Sequence, residues 1–264
     1  MITDTLQLNN AISNLKSFDS IFRILEADLI NESKKKYLKE HIPNAIYFDA
    51  SYNSTSSNFV DFDLPDDRKF ANYLGSLGIS NRHFIIIYDR SKYGLNSSAR
   101  AWFLFKVFGK DQVSILNGGF NSFKSNNFGL QKEIIKFPQE KFETKLRRNL
   151  YKNFEDMQTI IKAKNETIID AREIDEYNRG HIPGALNIPY SNLFDSQTRL
   201  LKTKQQLLKI IRSKNVDLEK PIVTYCQKNP RGSALMFVLD FLGAEKVSLY
   251  IGSWGEYSKR TGGY

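Results

Sequence analysis

The sequence predicts an α/β protein made of two tandem domains, each a parallel sheet flanked by helices, and three observations carry that expectation. A length of 264 residues suits one large α/β domain or two of moderate size. The chain also repeats itself. His41-Ile42-Pro43-Asn44-Ala45 recurs as His181-Ile182-Pro183-Gly184-Ala185, and Ile24-Leu25-Glu26-Ala27-Asp28 recurs as Ile168-Ile169-Asp170-Ala171-Arg172. Val113-Ser114-Ile115-Leu116 with Gly118 matches Val247-Ser248-Leu249-Tyr250 with Gly252. Matches in one order at nearly one spacing mark a duplicated domain. Finally, short apolar runs alternate with helical patterns, as in a parallel sheet covered on both faces.

In chain order, the segment 83–88 is a strand and 97–108 a helix stopped by Gly109. Val113–Leu116 is the next strand. Residues 132–148 are charged and contain Pro138, which marks a linker between an N-terminal domain, 1–131, and a C-terminal domain, 149–264. In the second half, 167–171 and Ile222–Tyr225 are strands. The nearly all-apolar segment 232–242 is a helix ended by Gly243, and Val247–Tyr250 is the strand after it.

Composition narrows the function classes. With 41% hydrophobic and 25% charged residues the chain is globular, and no apolar run is long enough to span a bilayer. The opening Met1-Ile2-Thr3-Asp4 lacks the pattern of a signal or transit peptide. A single cysteine, Cys226, excludes an intrachain disulfide and a cysteine-rich zinc site. It fits a reducing compartment, with the cytoplasm the expectation and the mitochondrion the alternative. The 3 histidines are scattered, so no metal site is expected. The net charge of +9 is dispersed and interleaved with acids, as in Lys34-Lys35-Lys36-Tyr37-Leu38-Lys39-Glu40. That pattern supports a preference for anionic ligands rather than a nucleic-acid partner.

Ligands of open α/β sheets bind beyond the carboxyl ends of the strands. Cys226 stands at that point, directly after Ile222–Tyr225, and Gln227-Lys228-Asn229-Pro230-Arg231 leads from it into the helix beginning near Gly232. The helix's positive end, loop amides, Lys228 and Arg231 would all favour a thiolate, which is a nucleophile. A free cysteine is more often a small core residue; its position at the strand-to-helix turn with two cations close by argues here for an ionised sulfur, open to solvent and ringed by amides. In the first half Tyr88-Asp89 replaces Tyr225-Cys226. A carboxylate forms no persulfide, so the first half is expected to brace the second.

Taken together these motifs resemble the rhodanese family, in the duplicated form of the thiosulfate and 3-mercaptopyruvate sulfurtransferases. The second half carries Asp170-Ala171-Arg172, Gly180-His181-Ile182-Pro183-Gly184-Ala185, the Cys226 loop, and Gly252-Ser253-Trp254 with Glu256. The first carries Tyr37-Leu38, His41-Ile42-Pro43, Tyr88-Asp89, Ala101-Trp102-Phe103 and Leu116-Asn117-Gly118-Gly119-Phe120. The resemblance implies two tandem rhodanese-like domains and transfer of a sulfane sulfur through a Cys226 persulfide. Gln227, Lys228, Asn229, Arg231 and Gly232 would form the persulfide cradle, with Asp170 and Trp254 in support. It implies no cofactor and no metal, a small anionic donor (thiosulfate or 3-mercaptopyruvate), and an external acceptor: cyanide or a thiol such as glutathione or thioredoxin. No membrane or nucleic-acid partner is implied.

The chain departs from the family in three places. Gln227-Lys228 matches neither the paired cations of the thiosulfate type nor the Gly-Ser of the mercaptopyruvate type. Asn229-Pro230 stands where Gly and a residue with an N–H are usual, and Pro230 removes a donor. Glu176 precedes Tyr177 where the two-domain enzymes place a substrate-binding arginine. Two alternatives stay open: a sulfur-relay or binding protein with negligible turnover, and a Cys-dependent phosphatase. Against the latter, the segment between Cys226 and Arg231 is one residue shorter than a phosphate-encircling loop. Lys228 and Arg231 tilt the donor toward dianionic thiosulfate. His41 and His181 read as structural because their motif is duplicated, and Asp170 as a loop-orienting partner.

Overall fold

The computed structural model describes residues 1–14, 21–29, 33–54 and 58–262. The chain divides into two compact units: Met1–Asn53 with Pro65–Leu146, and Ser54–Leu64 with Arg147–Tyr264. The segment 54–64 therefore counts with the second unit although it lies within the first repeat by chain order.

Each unit contains a five-stranded sheet whose strand pairs are all parallel. In the first, β1 (Ile2–Thr3), β2 (Phe22–Asp28), β3 (Ala45–Asp49), β4 (Phe84–Tyr88) and β5 (Val113–Leu116) lie in the order β1-β5-β4-β2-β3. In the second, β6 (Tyr151–Lys152), β7 (Thr167–Asp170), β8 (Leu186–Asn187), β9 (Ile222–Tyr225) and β10 (Val247–Tyr250) repeat it as β6-β10-β9-β7-β8. The register repeats too: Glu26 pairs with Tyr88 as Asp170 pairs with Tyr225.

The helices Ser97–Val107 and Pro230–Leu242 are apolar on nearly every side and pack against the sheets. Their burial explains why they lack the usual polar face. The second starts at Pro230, earlier than the sequence pattern indicates, because proline at the first helical position needs no N–H partner and has a helical φ. Gly243 ends it with φ 103°. Short edge strands β1 and β6 escape the periodicity signal because two residues define no period.

The duplication extends to hydrogen bonds. Tyr37 Oη donates to Ala45 O at 2.9 Å and Tyr177 Oη to Ala185 O at 2.7 Å. His41 and His181 each place Nδ1 near the carbonyl of that tyrosine, at 2.9 and 3.0 Å, and stack on its ring. The intervening turn needs positive φ, 63° at Asn44 and 79° at Gly184, and asparagine tolerates this region. Both histidines thus pin a turn. The segment 132–146 is tied to the first unit, with Glu140 N–H donating to Gly75 O at 3.0 Å and Lys145 N–H to Phe108 O at 3.0 Å.

Candidate active site

Strand β9 delivers Cys226 to the carboxyl edge of the second sheet, where the chain turns into the helix Pro230–Leu242. Asn229 makes this turn at φ 110°, a left-handed conformation that costs a non-glycine residue about 1–3 kcal/mol. Two bonds offset the strain. Ser233 Oγ donates to Asn229 Oδ1 at 2.9 Å, and Asn229 N–H points at Cys226 Sγ at 3.2 Å. Asn229 is fully buried, and its Nδ2 has no partner among the described residues.

The first turn of the helix Ser253–Thr261 closes the loop from behind. Trp254 N–H donates to Cys226 O at 2.9 Å and Gly255 N–H to Gln227 O at 3.0 Å. Below them, Asp170 and Arg172 form a buried ion pair, with Arg172 Nη2 at 2.7 Å from Asp170 Oδ2 and Nε at 3.0 Å from the same oxygen. The Arg172 guanidinium lies 4.8 Å from the Trp254 ring centroid. Asp170 is therefore linked through Arg172 to the Trp254 ring, and Trp254 through its backbone to Cys226.

Three features of the site differ from the sequence expectation. Cys226 is only 1% exposed, because the loop folds over it and Asn229 turns inward, so it does not stand open to solvent. Among the described residues a single amide, that of Asn229, donates to Sγ, so no full ring of amides surrounds it; Pro230 removes a candidate. Gly232 is a packing residue: a Cβ there would sit 2.9 Å from Leu249 Cδ1 and 3.1 Å from Tyr225 Cα, so only glycine lets the helix approach the strand.

The two cations of the loop are both compensated. Arg231 forms a two-pronged bridge to Glu176, with Nη2 2.8 Å from Oε1. Glu176 Oε2 also accepts the Glu173 N–H at 3.1 Å, which fixes the carboxylate at the start of a short helix. The hydrogen bond to Arg231 holds the Glu176 carboxyl below its ordinary range. Arg231 is held above its own range, chiefly by Glu176 and further by the charge of Cys226. Lys228 Nζ is 3.1 Å from Asp61 Oδ2, within the second unit, and both side chains are well exposed at 59% and 46%. Gln227 is half-buried beside them.

Thus Cys226, Gln227, Lys228, Asn229, Arg231, Asp170 and Trp254 come together at one sheet edge. Asp61 escaped the sequence reading because nothing local marks a distant loop acid as the partner of Lys228. The pairing of Glu176 with Arg231 had one available signal, an acid where an arginine was expected.

Among the described residues no cluster of three or more His, Cys, Asp or Glu is placed to hold a metal ion, and no helix is long and apolar enough to cross a membrane.

The rhodanese-like domain model matches the chain twice, over residues 12–126 and 153–260. Thiosulfate sulfurtransferase of Gallus gallus is 32% identical over 239 residues, spanning 87% of this chain and 82% of the relative. The 3-mercaptopyruvate sulfurtransferase of Rattus norvegicus is 31% identical over 271 residues, spanning 98% and 90%. The crystal structure of SseA from Escherichia coli, described as a 3-mercaptopyruvate sulfotransferase with the rhodanese fold, superposes with a TM-score of 0.84. It is 27% identical, over 96% of this chain and 98% of that one.

Proposed function

Because this chain belongs to the rhodanese-like family and carries its domain twice, we propose that it is a sulfurtransferase in which Cys226 carries a sulfane sulfur from a small donor of the thiosulfate or 3-mercaptopyruvate class to cyanide or a thiol. The observation that carries this reading is the position of the lone thiol after β9, with the Asn229 amide 3.2 Å from Sγ and the N-terminus of the helix Pro230–Leu242 following it. That end of the helix carries partial positive charge and favours an anion at the sulfur. The thiolate attacks the donor's outer sulfur, the donor's bond to that sulfur breaks, and the persulfide then yields its sulfur to the acceptor. With a single cysteine in the chain, the acceptor comes from outside; glutathione and thioredoxin are of the right chemistry.

Expected outcome: incubation with thiosulfate or 3-mercaptopyruvate adds one sulfur atom to Cys226 in the intact mass, and cyanide removes it as thiocyanate. Cys226→Ser abolishes both steps while the protein stays folded by circular dichroism. Thiocyanate production retained in Cys226→Ser would overturn the mechanism.

The 1% exposure of Cys226 favours a second reading, a relay protein that receives sulfur only when a partner opens the loop. Loading by a protein persulfide but by neither small donor would establish that reading instead.

A further inference from the structure

The loop that follows Cys226 carries two cations and is electrically balanced. Arg231 is bound at both prongs by Glu176, and Lys228 faces Asp61 at 3.1 Å. These four side chains sum to zero formal charge. The two pairs are unequal. Lys228 and Asp61 are exposed, so water and salt screen them and either can swing away. Arg231 and Glu176 are only 23% and 26% exposed, and Glu176 is further held by the Glu173 amide. Arg231 is the cation of the loop nearest to being locked, and its lock is a carboxylate on a different element. The neighbouring Glu173 carboxylate, itself bonded by Ser191 Oγ at 2.6 Å, adds negative charge on the same side.

A donor carrying two negative charges profits from an uncompensated guanidinium about twice as much as a donor carrying one. A guanidinium already paired in bidentate fashion offers neither of them that advantage, and the paired carboxylate repels the dianion more.

We infer that Glu176 is the specificity-determining residue for donor charge: by engaging Arg231 it selects singly charged sulfane donors over doubly charged ones. This inference rests on the sulfurtransferase reading above. The step is the same for both donor classes. The Cys226 thiolate bonds to the donor's outer sulfur as the S–S bond breaks, and the electron pair leaves on sulfite from thiosulfate or on methanesulfinate from methanethiosulfonate. Cyanide then takes the outer sulfur as thiocyanate and regenerates the thiolate.

The test compares kcat/KM for thiosulfate, a dianion, and methanethiosulfonate, a monoanion, using the full chain with cyanide as acceptor. Glu176→Gln is expected to raise the thiosulfate-to-thiosulfonate ratio about tenfold, mainly through KM for thiosulfate, and the gain shrinks as salt is added. Glu176→Asp keeps the charge and is expected to retain the parent ratio, and Asp61→Asn to shift it by about twofold or less. Turnover with an unchanged ratio in Glu176→Gln would overturn the inference alone, as would a Glu176→Asp variant that behaves like Glu176→Gln. If 3-mercaptopyruvate yields thiocyanate and neither of these two donors does, with the parent or any variant, the inference falls alone; if none of the three does, the sulfurtransferase reading falls and this inference falls with it.

Discussion

In the first unit the residue after β4 is Asp89, and four donors close on its carboxylate: Ser91 N–H at 2.8 Å, Ser91 Oγ at 2.6 Å, Asn96 N–H at 2.7 Å and Ser98 N–H at 2.9 Å. In the second unit the residue after β9 is Cys226, and among the described residues one amide approaches its sulfur. Both loops hang from the same aromatic-bearing turn, since Phe120 N–H donates to Asp89 O at 3.0 Å as Trp254 N–H does to Cys226 O at 2.9 Å. The strand-to-helix turn is thus an anion cradle in the first unit, as the exposed amides at a helix start dictate. In the first the protein's own carboxylate fills it. In the second the loop is shorter and a thiol stands in the carboxylate's place.

A second difference lies beneath. Each unit buries a carboxylate on the strand beside its central one, β2 or β7, paired with an arginine that stacks on the aromatic ring: Glu26 with Arg90 over Phe120 at 3.6 Å, and Asp170 with Arg172 over Trp254 at 4.8 Å. In the first unit the arginine comes from the position right after Asp89. In the second it comes from the loop after β7, which leaves the position after Cys226 to an uncharged glutamine. The same ion pair built from a different chain position releases the loop beside the thiol.

Breaking the buried pair should have the largest effect. Arg172→Met leaves Asp170 uncompensated and is expected to lower stability by about 3–5 kcal/mol in urea titration, with loss of sulfur loading. Arg90→Met is expected to cost less, because its side chain retains 10% exposure where Arg172 retains 2%. Equal costs would mean that burial does not set the difference.

Acid should weaken the first unit next. His83 is buried before β4, and Ser80 N–H donates to its Nδ1 at 2.9 Å, which protonation would break. Burial holds its pKa down at about 4, against 6.5 in the unfolded chain. The unfolded state therefore takes up a proton first as pH falls. The stability is whole above pH 6.5 and declines toward pH 4, by about 3 kcal/mol over the full range. The corresponding residue before β9 is exposed Lys220, so hydrogen exchange should show the loss in the first unit, and His83→Gln should flatten the pH slope.

The cradle itself gives the smallest effect. Asp89→Asn removes charge from four hydrogen bonds and is expected to cost about 2 kcal/mol, whereas Cys226→Ser should stay within about 1 kcal/mol. A Cys226→Ser cost as large as that of Asp89→Asn would show that both loops depend equally on the side chain at their centre.

Much of this architecture is local enough to be read along the chain. The strands Val113–Leu116, Ile222–Tyr225 and Val247–Tyr250 appear in the sequence with the bounds they have in the structure, because apolar β-branched runs bury on both faces whatever surrounds them. The duplication, the position of Cys226 at a strand end and the structural part of His41 and His181 were equally legible, since each depends on residues close in sequence or on a repeated order. What escaped depends on long-range proximity. That Lys228 meets Asp61, that Arg231 meets Glu176, and that Asn229 turns inward to cover the sulfur are outcomes of packing. A cation's charge can be counted along the chain, but whether a carboxylate cancels it is settled only when the folded backbone brings the two within hydrogen-bonding distance.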